Sequence, residues 1–187
     1  LFIDEQGSFS FTPSSAKSLT ITNDIELGGE LTLGTVTNFS ATNFDIENGA
    51  TFDITAADAL SVDNFNIKTG GIATITSATS LTSTDLDVDG SLTITTTGDI
   101  SVTDLDMSGT LDIGGTNDLT FTNLNVAAGG ALSITSLENG SVKNLVLDGT
   151  IDFEESGFKE GLVKVSSNSS FNNDSATSSF DSNITLT

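Results

Sequence analysis

The sequence predicts an all-β fold: a single-stranded parallel β-helix (β-solenoid) with about three short strands per coil and roughly nine coils. Three observations support this: a repeat of 19 to 21 residues, a repeat length that is odd at every step from Ile25 to Leu145, and alternation of apolar and polar residues inside each repeat. The 187 residues are expected to form one domain, with an irregular first coil over 1–18, regular coils over 19–153 and degenerate terminal coils over 154–187.

The repeat is clearest between Leu81 and Asp118, where two consecutive stretches of 19 residues follow one pattern. Each has an apolar start, a short alternating run, an acidic–apolar–acidic step, a glycine turn and a second alternating run. Self-similarity at a fixed period near 20 is typical of solenoids. The landmark of each repeat is an apolar–x–apolar pair, found at Ile25/Leu27, Phe44/Ile46, Phe65/Ile67, Leu86/Val88, Leu105/Met107, Leu124/Val126 and Leu145/Leu147.

Successive landmarks lie 19 or 21 residues apart, so the repeat length changes only in steps of two. Neighbouring side chains of a strand point to opposite faces, so two extra residues keep every inward residue inward, whereas one would reverse the strand. The extra pair falls in wider turns that contain glycine, which adopts positive φ at little cost. These wider turns are Glu47–Ala50, Lys68–Gly71 and Ala127–Gly130.

Within one repeat, the alternation predicts which side chains form the core. In the unit that begins at Leu81, the expected inward residues are Leu81, Ser83, Leu86, Val88, Leu92 and Ile94. Each strand would pair with its copy in the next coil, about 4.8 Å along the axis. A globular β-sandwich is the rival interpretation, but it requires hairpins and would not produce so strict a repeat.

The composition excludes several functions. The chain has no Arg, His, Cys, Trp or Tyr, and its five Lys and 26 acidic residues give a net charge of −21. This charge opposes binding to nucleic acid or to an anionic membrane surface. Disulfides and His-containing zinc sites are ruled out, and no apolar run is long enough for membrane insertion. Some β-helix proteins are enzymes that cleave carbohydrates, but we expect no enzymatic activity here. A uniform stack of coils has no single cleft, and the Arg, His, Tyr and Trp side chains that bind or stack on a sugar are missing.

The stretch from Asp85 to Gly90 begins like a D-x-D-x-D-G calcium loop. The acidic ligand required at its twelfth position is replaced by Thr96, and the alternation turns Leu86 and Val88 inward. These side chains therefore cannot wrap one ion as that loop does.

A second calcium hypothesis rests on an outward acidic column. Carboxylates one coil apart repel by about 1 kcal/mol in water, and a divalent cation would relieve this repulsion. The alternative is a solvated acidic face that keeps the rod soluble. The column comprises Glu26, Asp45, Asn66, Asp87, Asp106 and Asn125, and the candidate Ca²⁺ ligands are Asp85, Asp87, Asp104 and Asp106. No other cofactor is expected.

A neighbouring column of Asn and Asp is assigned to structure, because these residues bond to nearby backbone and tolerate turn conformations. It contains Asp24, Asn43, Asn64, Asp85, Asp104, Asn123 and Asn144.

Threonine and serine recur on another outward face as a T-x-T array, which resembles the ice-binding face of some β-solenoid antifreeze proteins. Asp63 and Lys143 interrupt the array, and threonine is also simply a good strand residue. The candidate interaction residues are Thr20, Thr22, Thr42, Thr82, Thr84, Thr103, Thr120 and Thr122.

Both ends of such a rod would be open strand ladders, which recruit other strands unless they are capped. No cap is predicted at either end, so we expect either a segment of a longer stalk or copies that stack end to end. The edge residues are Leu1, Phe2, Ile3 and Asp4 at one end and Ile184, Thr185, Leu186 and Thr187 at the other.

The repeats resemble the β-solenoid passenger and stalk regions of bacterial surface proteins, such as haemagglutinin-type adhesins and autotransporters. The resemblance rests on the period, on Gly70-Gly71 and Gly129-Gly130, and on the phrase from Gly90 to Ile94. It implies a non-enzymatic structural or adhesive rod, extracellular or at the cell surface, which joins flanking repeats or other copies. An ice- or surface-binding module that uses the threonine face is the alternative.

Overall fold

The structure is a computed structural model. It describes residues 1–15, 17–153, 156–165, 170–173 and 184–186, and side chains within 1–15, 17–138 and 140–152. The strands are β1 (Phe2–Ile3), β2 (Ser8–Phe11), β3 (Leu19–Ile21), β4 (Ile25–Leu27), β5 (Glu30–Ile46), β6 (Thr51–Ile67), β7 (Ile72–Val88), β8 (Ser91–Met107), β9 (Thr110–Ile113), β10 (Thr116–Val126), β11 (Ala131–Ile134), β12 (Leu137–Leu147), β13 (Thr150–Phe153), β14 (Ser156–Val165), β15 (Ser170–Asn173) and β16 (Ile184–Leu186).

The strands form one parallel sheet that winds around an apolar core, which confirms the β-solenoid. The main path runs β1-β4-β5-β6-β7-β8-β10-β12-β14-β16, and the shorter strands β2, β3, β9, β11, β13 and β15 pair beside it. The part of the chain that the structure describes contains no helix, and so none that could cross a membrane.

The solenoid makes about seven turns, which corrects the roughly nine expected from the sequence. Regular steps run from β1 to β12. The two further steps of the sequence count lead to β14 and β16, and the intervening stretches 154–155, 166–169 and 174–183 lie outside the described residues.

The landmark residues stack over one another along a single spine. Phe65 pairs with Leu86, Leu86 with Leu105, and Leu105 with Leu124 in unbroken parallel register. All four side chains are buried. The predicted inward set of the unit that begins at Leu81 is buried as well, so the alternation identified the core correctly.

In the central coils, the three short strands expected from the sequence join into one continuous, bent strand per coil. Each of β5 to β8 spans 17 residues, which would measure about 56 Å if straight. Each instead bends where two successive residues lie outside the core, as at Gly34-Thr35 and Thr42-Asn43 in β5. The inward residues of β5 therefore follow steps of two along flat segments and three at bends: Leu31, Leu33, Val36, Phe39, Ala41, Phe44 and Ile46.

The wider turns hold the extra residue pair, as predicted. Gly49, Gly70 and Gly129 have φ of 82°, 83° and 93°, a region that favours glycine. Each wide turn is closed by a backbone hydrogen bond, for example from Gly71 N to Lys68 O at 2.7 Å. The strands on either side thus keep their inward phase.

Candidate functional surfaces

The threonine face is an in-register strip of hydroxyl groups, interrupted by Asp63 and Lys143. Its first column pairs from coil to coil in the order Thr20, Ser40, Ser61, Thr82, Ser101, Thr120 and Ser141.

Within this column, Ser40 Oγ donates to Thr20 Oγ1 at 3.2 Å, and Ser141 Oγ donates to Thr120 Oγ1 at 3.5 Å. The predicted interaction residues on the strip are exposed, except for Thr122, which is half-buried.

A second column, two residues further along each coil, contains Thr22, Thr42, Asp63, Thr84 and Thr103. A shallow trough runs between the two columns. It is lined from Thr20 and Thr22 past Ser61 and Asp63 to Thr103. Asp63 is the carboxylate in this lining, so the trough carries little charge in a chain with a net charge of −21. Hydroxyl groups both donate and accept hydrogen bonds, which suits an uncharged, hydrogen-bonding partner surface.

The Asn and Asp column forms side-chain ladders, as its structural assignment predicted. Asn64 Nδ2 donates to Asn43 Oδ1 at 2.6 Å, and Asn43 Nδ2 donates to Asp24 Oδ1 at 2.5 Å. Further along, Asn144 donates to Asn123, and Asn123 donates to Asp104. Every amide donates toward the N-terminal coil, and each ladder ends on an aspartate because a carboxylate only accepts.

The acidic column contains bonds of the same kind. Asn66 Nδ2 donates to Asp45 Oδ1 at 2.6 Å, and Asn125 Nδ2 donates to Asp106 Oδ1 at 2.8 Å. An amide thus links adjacent coils at these two steps of the column, where asparagine and not a second carboxylate faces the aspartate. The asparagines in the column carried this signal.

The candidate calcium ligands lie in two adjacent coils. Asp85 is in register with Asp104, and Asp87 with Asp106. Over the described residues, no three or more His, Cys, Asp or Glu side chains converge into a metal-binding group. Calcium binding by the four aspartates remains a prediction.

The carboxyl group of Asp87 is half-buried and lies near three other carboxylates. Partial burial raises its pKa above the ordinary value of 3.8, and the neighbouring Asp89, Asp106 and Asp85 raise it further. Both causes disfavour the charged form.

The N-terminal coil exposes large apolar side chains. Phe9 is 41% exposed although it pairs with Leu31, which is fully buried. Leu1 is 42% exposed, and Phe2, in register with the outward Glu26, is 67% exposed. A concave surface joins Leu1, Phe2, Ile3, Asp4 and Phe9. The N-terminal strand thus exposes apolar side chains, and end-to-end contact through it stays a prediction.

The opposite edge is described only in its backbone. Ile184, Thr185 and Leu186 form β16, which pairs in parallel with Val163–Val165 of β14. Thr187 lies outside the described residues.

Sequence reasoning missed an acidic notch at one corner. The short corner at Gly28 lies between the wider turns at Asp4–Gly7 and Glu47–Ala50, which leaves a concavity. Asp4, Glu5, Glu26 and Glu47 line it together with Phe2. The alternation of turn lengths was the signal that could have revealed it.

On the far side of Glu47, the ammonium of Lys68 bonds to its carboxylate. This bond raises the pKa of Lys68 above 10.5.

Comparison with protein-family models, curated proteins and solved structures finds no match to this chain. Its function therefore has to be inferred from the geometry of these surfaces.

Proposed function

We propose that the chain is a non-enzymatic structural or adhesive rod, extracellular or displayed at a cell surface. In this proposal it is a β-solenoid of the kind found in bacterial haemagglutinin-type adhesins and autotransporter passengers. Its open ends join further coils, either of a longer chain or of another copy.

The observation that supports this proposal is the unbroken parallel register from β1 to β12. Every coil repeats the same outward positions about 4.8 Å apart. Seven such steps give a rod of about 34 Å. A stiff, repetitive surface suits a spacer, and it suits attachment through many weak contacts whose combined strength exceeds that of each alone.

Self-association of the rod can be tested by sedimentation and electron microscopy of the purified 187-residue chain over a range of concentrations. We expect fibres of solenoid width whose length increases with concentration, because an open parallel edge with exposed Phe2 and Phe9 favours strand addition.

The double variant Phe2→Lys/Phe9→Lys places charge on this face and should leave monomers. Thr84→Lys/Thr103→Lys, on the threonine face, is the matched control and should still assemble. A wild-type chain that stays monomeric at high concentration would contradict the end-to-end form of the proposal.

The trough between the hydroxyl columns favours a second candidate function, which is binding of ice or of another regular, uncharged surface. Here the expected result is thermal hysteresis from monomers, lost in Thr84→Lys/Thr103→Lys and retained in Phe2→Lys/Phe9→Lys. Absence of hysteresis in the wild type would remove ice as the partner.

A further inference from the structure

The two polar columns divide the rod into two interlocked parts. In the first part, amides link Asp24, Asn43 and Asn64, and Asn66 bonds to Asp45. In the second part, amides link Asp104, Asn123 and Asn144, and Asn125 bonds to Asp106. The coil that lies between them is β7.

Neither neighbouring coil supplies an amide bond to the carboxylates of β7. The Nδ2 groups of Asn64 and Asn66 point to the preceding coil. On the other side, Asp85 faces Asp104 and Asp87 faces Asp106, and carboxylates have no proton to donate. Between β7 and β8, both columns therefore place like charge against like charge.

At the other steps of the described coils where carboxylates face each other, amide bonds link the same two coils. Asp99 faces Asp118 between β8 and β10, where Asn123 bonds to Asp104 and Asn125 to Asp106. Glu26 faces Asp45 between β4 and β5, but the neighbouring column bonds Asn43 to Asp24 at the same step. Two side-chain bonds do cross from β8 and the turn after it to β7 and its turn: Ser108 to Asp89, and Thr96 to the carbonyl of Thr76. Neither bond reaches a carboxylate of the two columns.

The inward side chains of β7 are also smaller than those of the preceding coil. Three of its inward positions hold Ala73, Ala78 and Ser83. The equivalent positions of β6 hold the larger Phe52 and Val62, and a third alanine. Burial of small side chains removes less apolar surface from water.

The next coil adds a buried polar group without a partner. In β8, Thr97 lies in register with Ala78, and its buried hydroxyl has no hydrogen-bond partner. A buried polar group left unpaired costs free energy.

We infer that β7 is a built-in weak coil, and that the rod opens first between β7 and β8 rather than at any other internal step of the described coils. Solenoid stability is a sum of coil terms and nearest-neighbour terms, so one poor interface localises the opening. This inference holds whatever the rod attaches to. It would give a rod under load a defined point of separation.

Hydrogen exchange measured by mass spectrometry on the intact chain tests the inference. Among internal coils, backbone amides of β7 and of the facing part of β8 should exchange fastest. In Asp104→Asn/Asp106→Asn, the new amides can donate to Asp85 and Asp87 while their oxygens still accept from Asn123 and Asn125. Exchange in β7 should slow by about tenfold.

Asp53→Asn/Asp112→Asn removes the same charge where Thr and Ser are the strand partners, and it is the matched control. It should leave β7 exchange unchanged. Exchange in wild-type β7 as slow as in β6 and β10, or equal slowing in both double variants, would overturn the inference. Neither outcome depends on whether the rods assemble into fibres.

Discussion

Thr97 and Thr116 occupy equivalent inward positions one coil apart, but only one hydroxyl is satisfied. Thr116 Oγ1 lies 3.0 Å from Gly98 O and 3.3 Å from Asp118 O, within hydrogen-bonding distance of both. Thr97 Oγ1 is buried without a partner. Two residues with the same side chain should therefore respond in opposite ways to loss of the hydroxyl.

We predict that Thr97→Val stabilises the chain by about 1 kcal/mol, because an apolar group of the same shape replaces an unpaired hydroxyl. Thr116→Val, the matched control, should destabilise it by about 1 kcal/mol, because it removes a satisfied hydroxyl. Denaturant unfolding of both variants measures the difference. Equal destabilisation by both changes would show that the Thr97 hydroxyl has a partner.

Asp87 should make stability depend on pH. Its folded pKa is raised by burial first and then by Asp89, Asp106 and Asp85, so the folded state binds the proton more tightly than the unfolded state. The stability from this proton is fully present below the ordinary pKa of 3.8 and is lost as pH rises through the folded pKa. We predict that Asp87→Asn reduces this loss in unfolding curves between pH 4 and pH 7. An unchanged slope would contradict the shift.

The calcium hypothesis makes a separate prediction. If Ca²⁺ bridges Asp87 and Asp106, millimolar calcium raises the thermal midpoint and a chelator lowers it, because a ligand that binds only the folded state stabilises it. Asp104→Asn/Asp106→Asn should abolish the response. A midpoint that does not move with calcium in the wild-type chain would remove the site.

At the residue scale, the sequence predicted correctly which large side chains face inward. Strand alternation and the repeat length together fix which face of the sheet each of these residues occupies. The sequence did not reveal the inward column of Val36, Ala57, Ala78, Thr97, Thr116 and Leu137, because its four middle members are small or polar and give no apolar signal. The direction of the amide bonds was also hidden, because composition does not say which side of an asparagine faces which coil.

At the scale of the coil, short corners bring glycine against the backbone of the preceding coil. A Cβ on Gly109 would lie 2.1 Å from Gly90 O, whereas a Cβ on Gly115 would meet nothing within 4 Å. Glycine is thus required at the first position by contact with a rigid carbonyl, and not at the second.

We predict that Gly109→Ala destabilises the chain by about 1–3 kcal/mol, because the neighbouring coil must shift to accept the methyl group. Gly115→Ala should be neutral or slightly stabilising, because it reduces the freedom of the unfolded chain. Thermal melting of both variants compares them. A Gly109 variant as stable as the Gly115 variant would mean that the corners are looser than described.

The elements show what a period can and cannot predict. The repeat placed the wide turns and the stacked strands, because both follow from keeping side chains in phase. It did not show that the short strands merge into single strands of 17 residues, as in β5 and β6. At bends such as Gly34-Thr35, the residues on both sides stay paired with the next coil. This continuity depends on contacts between coils, which the repeat alone does not show.

For the whole molecule, the interpretation as a rod follows from repetition and not from any single site. The sequence predicted the spine through Leu86, Leu105 and Leu124, but it overestimated the number of turns. The sequence count includes the steps to β14 and β16, and the stretches 154–155, 166–169 and 174–183 around these strands lie outside the described residues.

The central claim, that each coil lies in register on the next, can be tested directly by engineered disulfides, because the chain has no cysteine. Thr82 pairs with Ser101 in the adjacent coil and lies two coils from Thr120. Mild oxidation of dilute Thr82→Cys/Ser101→Cys should form an intramolecular disulfide, since neighbouring Cα atoms about 4.8 Å apart suit one. Thr82→Cys/Thr120→Cys should not, since its Cα atoms are about 9.6 Å apart. Efficient closure of the second pair and failure of the first would contradict the solenoid register.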